Sequence, residues 1–150
     1  MTGFRRPVFL LIGLLTAISI ALIAWVSVTQ STTELVQTKI EQALSINMEN
    51  LAPEWPRIET HNALSTKVYY APIVNPVQTF ELHRHVLEYL NQDTSVPPVK
   101  ITQISMRYEY GATEDTLISQ ASVEFPVILG IEKEMLVQSA VKTPHYETSK

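Results

Sequence analysis

From Pro7 to Thr33 the chain carries no charged side chain, although Arg5 and Arg6 stand just before this run and Glu34 just after it. Within the run, residues 7–28 (PVFLLIGLLTAISIALIAWVSV) are almost wholly apolar. Roughly 20 residues of α-helix, rising 1.5 Å each, cross a hydrocarbon core about 30 Å thick. The segment therefore reads as a transmembrane helix. About 120 of the 150 residues follow it, the size of one domain.

A cleaved secretory signal would share the basic start. Its apolar part, however, runs only roughly 7–15 residues and ends at a small-x-small site. Here the apolar run is longer, and Ser27 and Thr29 make a weak cleavage pair. A twin-arginine signal is disfavoured by the hydrophobicity of the stretch and by Pro7 directly after Arg6. The expectation is an uncleaved signal-anchor. Basic residues flank the cytoplasmic end of such helices. Arg5 and Arg6 lie before the span, and the first basic residue beyond it is Lys39. Residues 1–6 are thus expected in the cytoplasm and the body outside, with the cell membrane as location. Trp25 falls where an interfacial aromatic belongs. The chain has no cysteine, so the body needs no disulfide and carries no lipid on a cysteine.

Gly13, Ala17, Ala21 and Ala24 follow at spacings of four, four and three, which places them on one helical stripe. Small residues in this pattern allow close approach of a second helix in lipid. They are also common in membrane helices for no such reason. The span holds no ionisable side chain, which argues against a transport or proton-relay role.

Net charge is −4, and Arg5 and Arg6 are two of the eleven basic residues, so nine basic side chains face all fifteen acidic ones beyond the span. An acidic body argues against nucleic acid as a partner and against electrostatic docking on anionic lipid.

Ser31 and Glu34 form a Ser-x-x-Glu capping box. Val36, Ile40, Ala43, Leu44, Met48 and Leu51 then recur at threes and fours until Pro53 and Pro56. This predicts an amphipathic helix over 29–52, either separated from the span by the cap or continuous with it. Residues 53–76 read as irregular, with one short strand over Thr66–Tyr70. Asn75-Pro76-Val77-Gln78 is a helix start. The apolar face is expected from Val77, Phe80, Val86, Leu87 and Leu90, and the helix ends at Asn91-Gln92-Asp93.

Beyond Val99 the hydrophobic period becomes two. The first strand slips its alternation between Ile101 and Ile104, the mark of a bulge. A turn over Gly111–Asp115 leads to a strand over Thr116–Phe125, with Leu117, Ala121, Val123 and Phe125 inward. A third strand covers Glu134–Val141. The fold class expected is α+β: an N-terminal transmembrane helix with an amphipathic extension, then a helix and a three-stranded antiparallel β-meander. The extracytoplasmic domain would span 53–142, and 143–150 would be a flexible tail.

The connection 126–131 (PVILGI) is unusually apolar for a loop. Val127, Ile128, Leu129 and Ile131 either fold back on the core or contact a partner or the membrane. Catalytic signatures are lacking. His83 and His85 are two apart on a helix, a spacing that does not converge on a metal, and His61 and His145 lie far off in sequence. No Gly-x-Ser-x-Gly turn or phosphate-binding glycine loop occurs. Glu132, Lys133 and Glu134 read as a solvated charge cluster. No catalytic residue, metal or cofactor is expected, and the chain reads as a non-enzyme.

The order of these elements, together with the segment ASVEFPVILGIEKEMLVQSAVKTP, resembles pilin-like proteins of type IV filament and type II secretion systems, and most closely the minor pseudopilins of tight-adherence (Tad) pili. The resemblance implies a membrane helix that packs against other helices in an envelope assembly. Gly3-Phe4 is similar to a leader cleavage point, but the fifth position after it is Val8 where those proteins carry Glu, and Arg5, Arg6 and Pro7 replace apolar residues. That departure favours a permanent anchor. The expected function is an accessory subunit of a pilus or secretion system, with the bilayer and a membrane or envelope protein, or a second copy, as partners. The alternative is an extracytoplasmic binding or regulatory module acting on a membrane partner.

Overall fold

The computed structural model describes residues 5–61, 68–111, 114–128, 130–144 and 146–147. Its dominant element is α1 (Arg5–Leu51), a single helix of 47 residues and therefore roughly 70 Å long. The capping box at Ser31 and Glu34 does not interrupt it. Glu34 instead accepts a hydrogen bond from Gln30 Nε2 at 2.9 Å, an i to i+4 pair on the surface of a running helix. A cap signal needs a preceding chain break to act on, and here helix-compatible residues precede it.

The two halves of α1 have opposite surroundings. The apolar window of the first half has a mean hydropathy of 2.6 and none of it is buried within the protein. This helix is long and apolar enough to cross a membrane. Two of its hydroxyls bond back to the helix: Thr16 Oγ1 donates to Ile12 O at 2.8 Å and Ser19 Oγ to Leu15 O at 2.9 Å. In the second half, Val36, Ile40, Ala43, Leu44 and Met48 are wholly buried and Leu51 nearly so, as their spacing predicts. Asn47 is buried among them, its amide donating to Ala43 O at 2.8 Å.

One 3-10 turn (Ala52–Glu54) ends the helix at the prolines. Strands β1 (Arg57–His61) and β2 (Val68–Pro72) then pair antiparallel. The sequence expectation of one short strand is corrected to a hairpin. Ile58 is more than half exposed, so β1 carries no burial signal; backbone pairing makes it a strand.

Helix α2 (Pro76–Asn91) starts where expected, with Asn75 Oδ1 accepting from Val77 N at 2.8 Å. Its buried face differs from the expected one. Gln78, Leu82, Val86 and Leu90 repeat every four residues against the core, while Val77 and Phe80 are 68% and 70% exposed. At 100° per residue, Phe80 cannot share a face with the 82-86-90 row. Two contacts tie the ends of α2 to α1 and the turn that follows α1. Near the start of α2, Trp55 Nε1 donates to Glu81 Oε2 at 2.9 Å. Beyond its end, Lys39 Nζ lies 2.6 Å from Asp93 Oδ2. The Lys39 ammonium, helped by Ser95, holds the Asp93 carboxyl down at about 2.

The main sheet is an antiparallel meander in the order β3 (Lys100–Glu109), β4 (Glu114–Pro126), β5 (Glu132–Pro144). The register slips between Ile101 and Gln103, where the sequence pattern slips. Its inner face contributes Ile101, Ile104, Leu117, Ala121, Val123, Phe125, Val137 and Val141 to one core shared with both helices. β5 extends past the expected end at Val141, and β6 (Tyr146–Glu147) pairs with β2, giving a second small sheet β1-β2-β6. The segment from 143 is therefore partly in strands rather than all loose.

At the β3–β4 end, Asp115 is buried and holds the turn: Tyr108 donates to its carboxylate at 2.6 Å and Gly111 N at 3.0 Å. Burial, then the Asp115 carboxylate beside it, pushes the Tyr108 hydroxyl above the ordinary tyrosine value. A Cβ on Gly111 would fall 1.9 Å from Glu114 O, so the turn requires glycine there.

Candidate interaction surfaces

Two of the surfaces singled out from sequence are described in the structure. Gly13, Ala17, Ala21 and Ala24 are all exposed, and nothing lies within 4 Å of a Cβ built on Gly13. At 100° per residue the stripe points roughly 115° away from the face carrying Trp25, Thr29, Val36 and Ile40. That second face meets the sheet, and the stripe lies to one side of it.

The second surface is the β4–β5 connection. Val127 N donates to Ile131 O at 2.9 Å and Ile131 N to Ile128 O at 3.1 Å, closing a tight turn. Gly130 has φ of +75°, a left-handed conformation that glycine adopts at little cost. The apolar residues divide between the two expected fates. Val127 packs partly against the core, Ile128 is half-buried, and Ile131 is 52% exposed. Leu129 lies outside the described residues.

Glu132, Lys133 and Glu134 beside this turn are all exposed, as expected, and the lysine also reaches the helix. Lys133 sits opposite Phe125, in the inward register of the sheet. Its Nζ donates to Thr33 Oγ1 at 3.1 Å, and that hydroxyl donates in turn to Thr29 O at 2.7 Å. A shallow recess beside this contact is lined by Trp25, Val26, Thr29, Gln30, Thr33, Glu34 and Lys133. The hairpin end is thus seated against the helix close to where the apolar run stops. No spacing in the sequence signals this contact, because it joins residues 100 positions apart.

A third surface escaped the sequence reading. An open groove separates the first half of α2 from β3, lined by Phe80, His83, Thr102, Ile104 and Met106 among others. Its signal was the pair Val77 and Phe80, assigned from sequence to the buried face.

The described histidines do not converge. His85 Nδ1 is 3.8 Å from Glu88 on its own helix, and its Nε2 is 3.2 Å from Arg84 Nη2. His83 Nε2 is buried at the groove without a hydrogen-bond partner. Among the described residues, no group of three or more His, Cys, Asp or Glu could hold a metal ion. His145 lies outside them.

No protein-family model matches the chain, and comparison with curated proteins and with solved structures found no match. The functional reading therefore rests on the surfaces themselves. They comprise an apolar helix half with an exposed small-residue stripe, an apolar turn beside its end, and a side groove on the domain.

Proposed function

We propose that this chain is a single-pass membrane protein with its N-terminus in the cytoplasm and its α+β domain outside, acting as a non-enzymatic accessory subunit of an envelope assembly such as a pilus or secretion system. One observation carries the reading. A single unbroken helix has an exposed apolar first half and a buried amphipathic second half, so the body is a domain built directly onto its own anchor. Burying the first half requires lipid or other helices. The stripe of Gly13, Ala17, Ala21 and Ala24 is exposed along its length and suits a second membrane helix.

The test is crosslinking in native membranes followed by co-purification. A partner, or a second copy, is expected in the crosslinked product, and Ala17→Leu with Ala21→Leu should remove it. A chain that stays monomeric and unpartnered at native expression overturns the subunit reading. A second reading, a binding or regulatory module acting on a membrane partner, is favoured by the groove between α2 and β3. It predicts that Phe80→Ser impairs function while the crosslink through the stripe persists.

A further inference from the structure

We propose that the β4–β5 turn is a foot resting in the outer interface of the bilayer that α1 crosses, with Ile131 and Ile128 entering the headgroup region. The inference rests on the anchor reading above and adds a second, non-helical contact with the same membrane.

The geometry follows from how β5 lies along α1. Val141 and Thr143 share a cleft with Met48, Ala52 and Pro53, at the distal end of the helix. Lys133 meets Thr33. Following β5 backwards from Thr143 to Lys133 therefore runs down α1 toward its apolar half. From Thr33 to Val28, the end of the apolar run, is about 7 Å of helix axis. From Lys133 back to Gly130 the chain spans up to about 10 Å. The turn thus reaches the level at which the apolar run ends. Burial on the helix agrees: Trp25 and Thr29 are half-covered, whereas residues 8–24 and 26–28 are all exposed.

Chemistry and rigidity point the same way. The turn presents Ile131 at 52% exposure next to the half-buried Ile128. Trp25, which lines the same recess as Lys133, is the side chain suited to the headgroup zone. Lys133 can reach phosphate oxygens with its ammonium while its stem stays along the helix. Glu132 and Glu134 flank it, so the contact is shallow and does not depend on anionic lipid. Because α1 continues through Ser31 without a break, the span and the foot hold the domain at two points rather than on a swivel.

The chain has no cysteine, so single labels are clean. The full-length protein, with an environment-sensitive fluorophore on Ile131→Cys, is placed in phosphatidylcholine nanodiscs at one chain per disc. The acyl chains carry a nitroxide quencher near the headgroup. Matching labels go on Leu22→Cys, within the span, and Asn50→Cys, at the distal end of α1. Blue-shifted emission and loss of fluorescence are expected at positions 131 and 22, with neither at 50. A water-like, unquenched label at 131 with quenching at 22 overturns the foot and leaves the anchor intact. A blue-shifted but unquenched label at 131 means that protein covers the turn, and also overturns it. Loss of quenching at 22 as well would remove the anchor itself.

Discussion

The two halves of α1 are equally helical and both carry aliphatic side chains, yet one is bare and the other is the centre of the core. The difference lies in distribution around the axis. Residues 8–28 are apolar on every side, so no single protein face could cover them. From Val36 onward the apolar side chains keep to one stripe, with Lys39, Glu41 and Glu49 elsewhere, and one sheet suffices to bury them. The same hydrophobic effect therefore drives two different burials. The stripe seeks the protein's own core, and the all-round surface seeks a surrounding of lipid or helices.

The comparison is broken most directly by equal truncations in the two halves. Leu44→Ala should lower the stability of the folded domain by about 2–5 kcal/mol, because Leu44 is wholly buried and leaves a cavity. Leu15→Ala, at 59% exposure, should leave it within about 0.5 kcal/mol. Urea denaturation of both variants in the same detergent reads the contrast, and equal losses would mean that the first half also packs on the body. A smaller effect sharpens how far the buried half depends on α2. Asn75→Ala removes the cap on that helix and should cost about 1 kcal/mol in the same assay.

The smallest effect concerns the ion pair that ties the buried half to the loop after α2. The Asp93 carboxyl sits at about 2 instead of the ordinary 3.8, chiefly because Lys39 and then Ser95 donate to it. A carboxyl lowered by folding adds stability that is fully present above its unfolded value and disappears as the pH falls through its folded value. The Lys39–Asp93 contribution should therefore fade between about pH 4 and pH 2. Carboxyl chemical shifts of Asp93 should show this titration, and Lys39→Met should move it upward toward the ordinary value. Both side chains are more than a quarter exposed, so the effect on stability is modest.

Much of this arrangement was legible before any coordinates. The spacing of Val36 through Leu51 marked its buried face residue by residue, the pair Asn75-Pro76 marked the start of α2, and the slip between Ile101 and Ile104 marked the bulge. Each is a local rule expressed within a few residues. The failures share the opposite character. The face of α2 was misassigned because Val77 and Phe80 are apolar but outside the four-residue row of Leu82, Val86 and Leu90. The β1–β2 hairpin was half missed because it is held by backbone pairing, with Ile58 left exposed. Of the candidate surfaces, the stripe was complete in the sequence, the apolar turn was recognised without its location, and the groove was not seen.

The sequence alone determined that this chain has one segment apolar on all sides, one helix apolar on one side, and an alternating meander to cover that side. Those are periodicities, and the backbone geometry of helix and strand converts them directly into faces. Only the tertiary structure decided that the two helical segments are one rod, and that β5 lies along it so that Lys133 meets Thr33 and the PVILGI turn comes to the end of the apolar run. That outcome depends on the packing of a strand against a helix far away in sequence, and no local pattern encodes it.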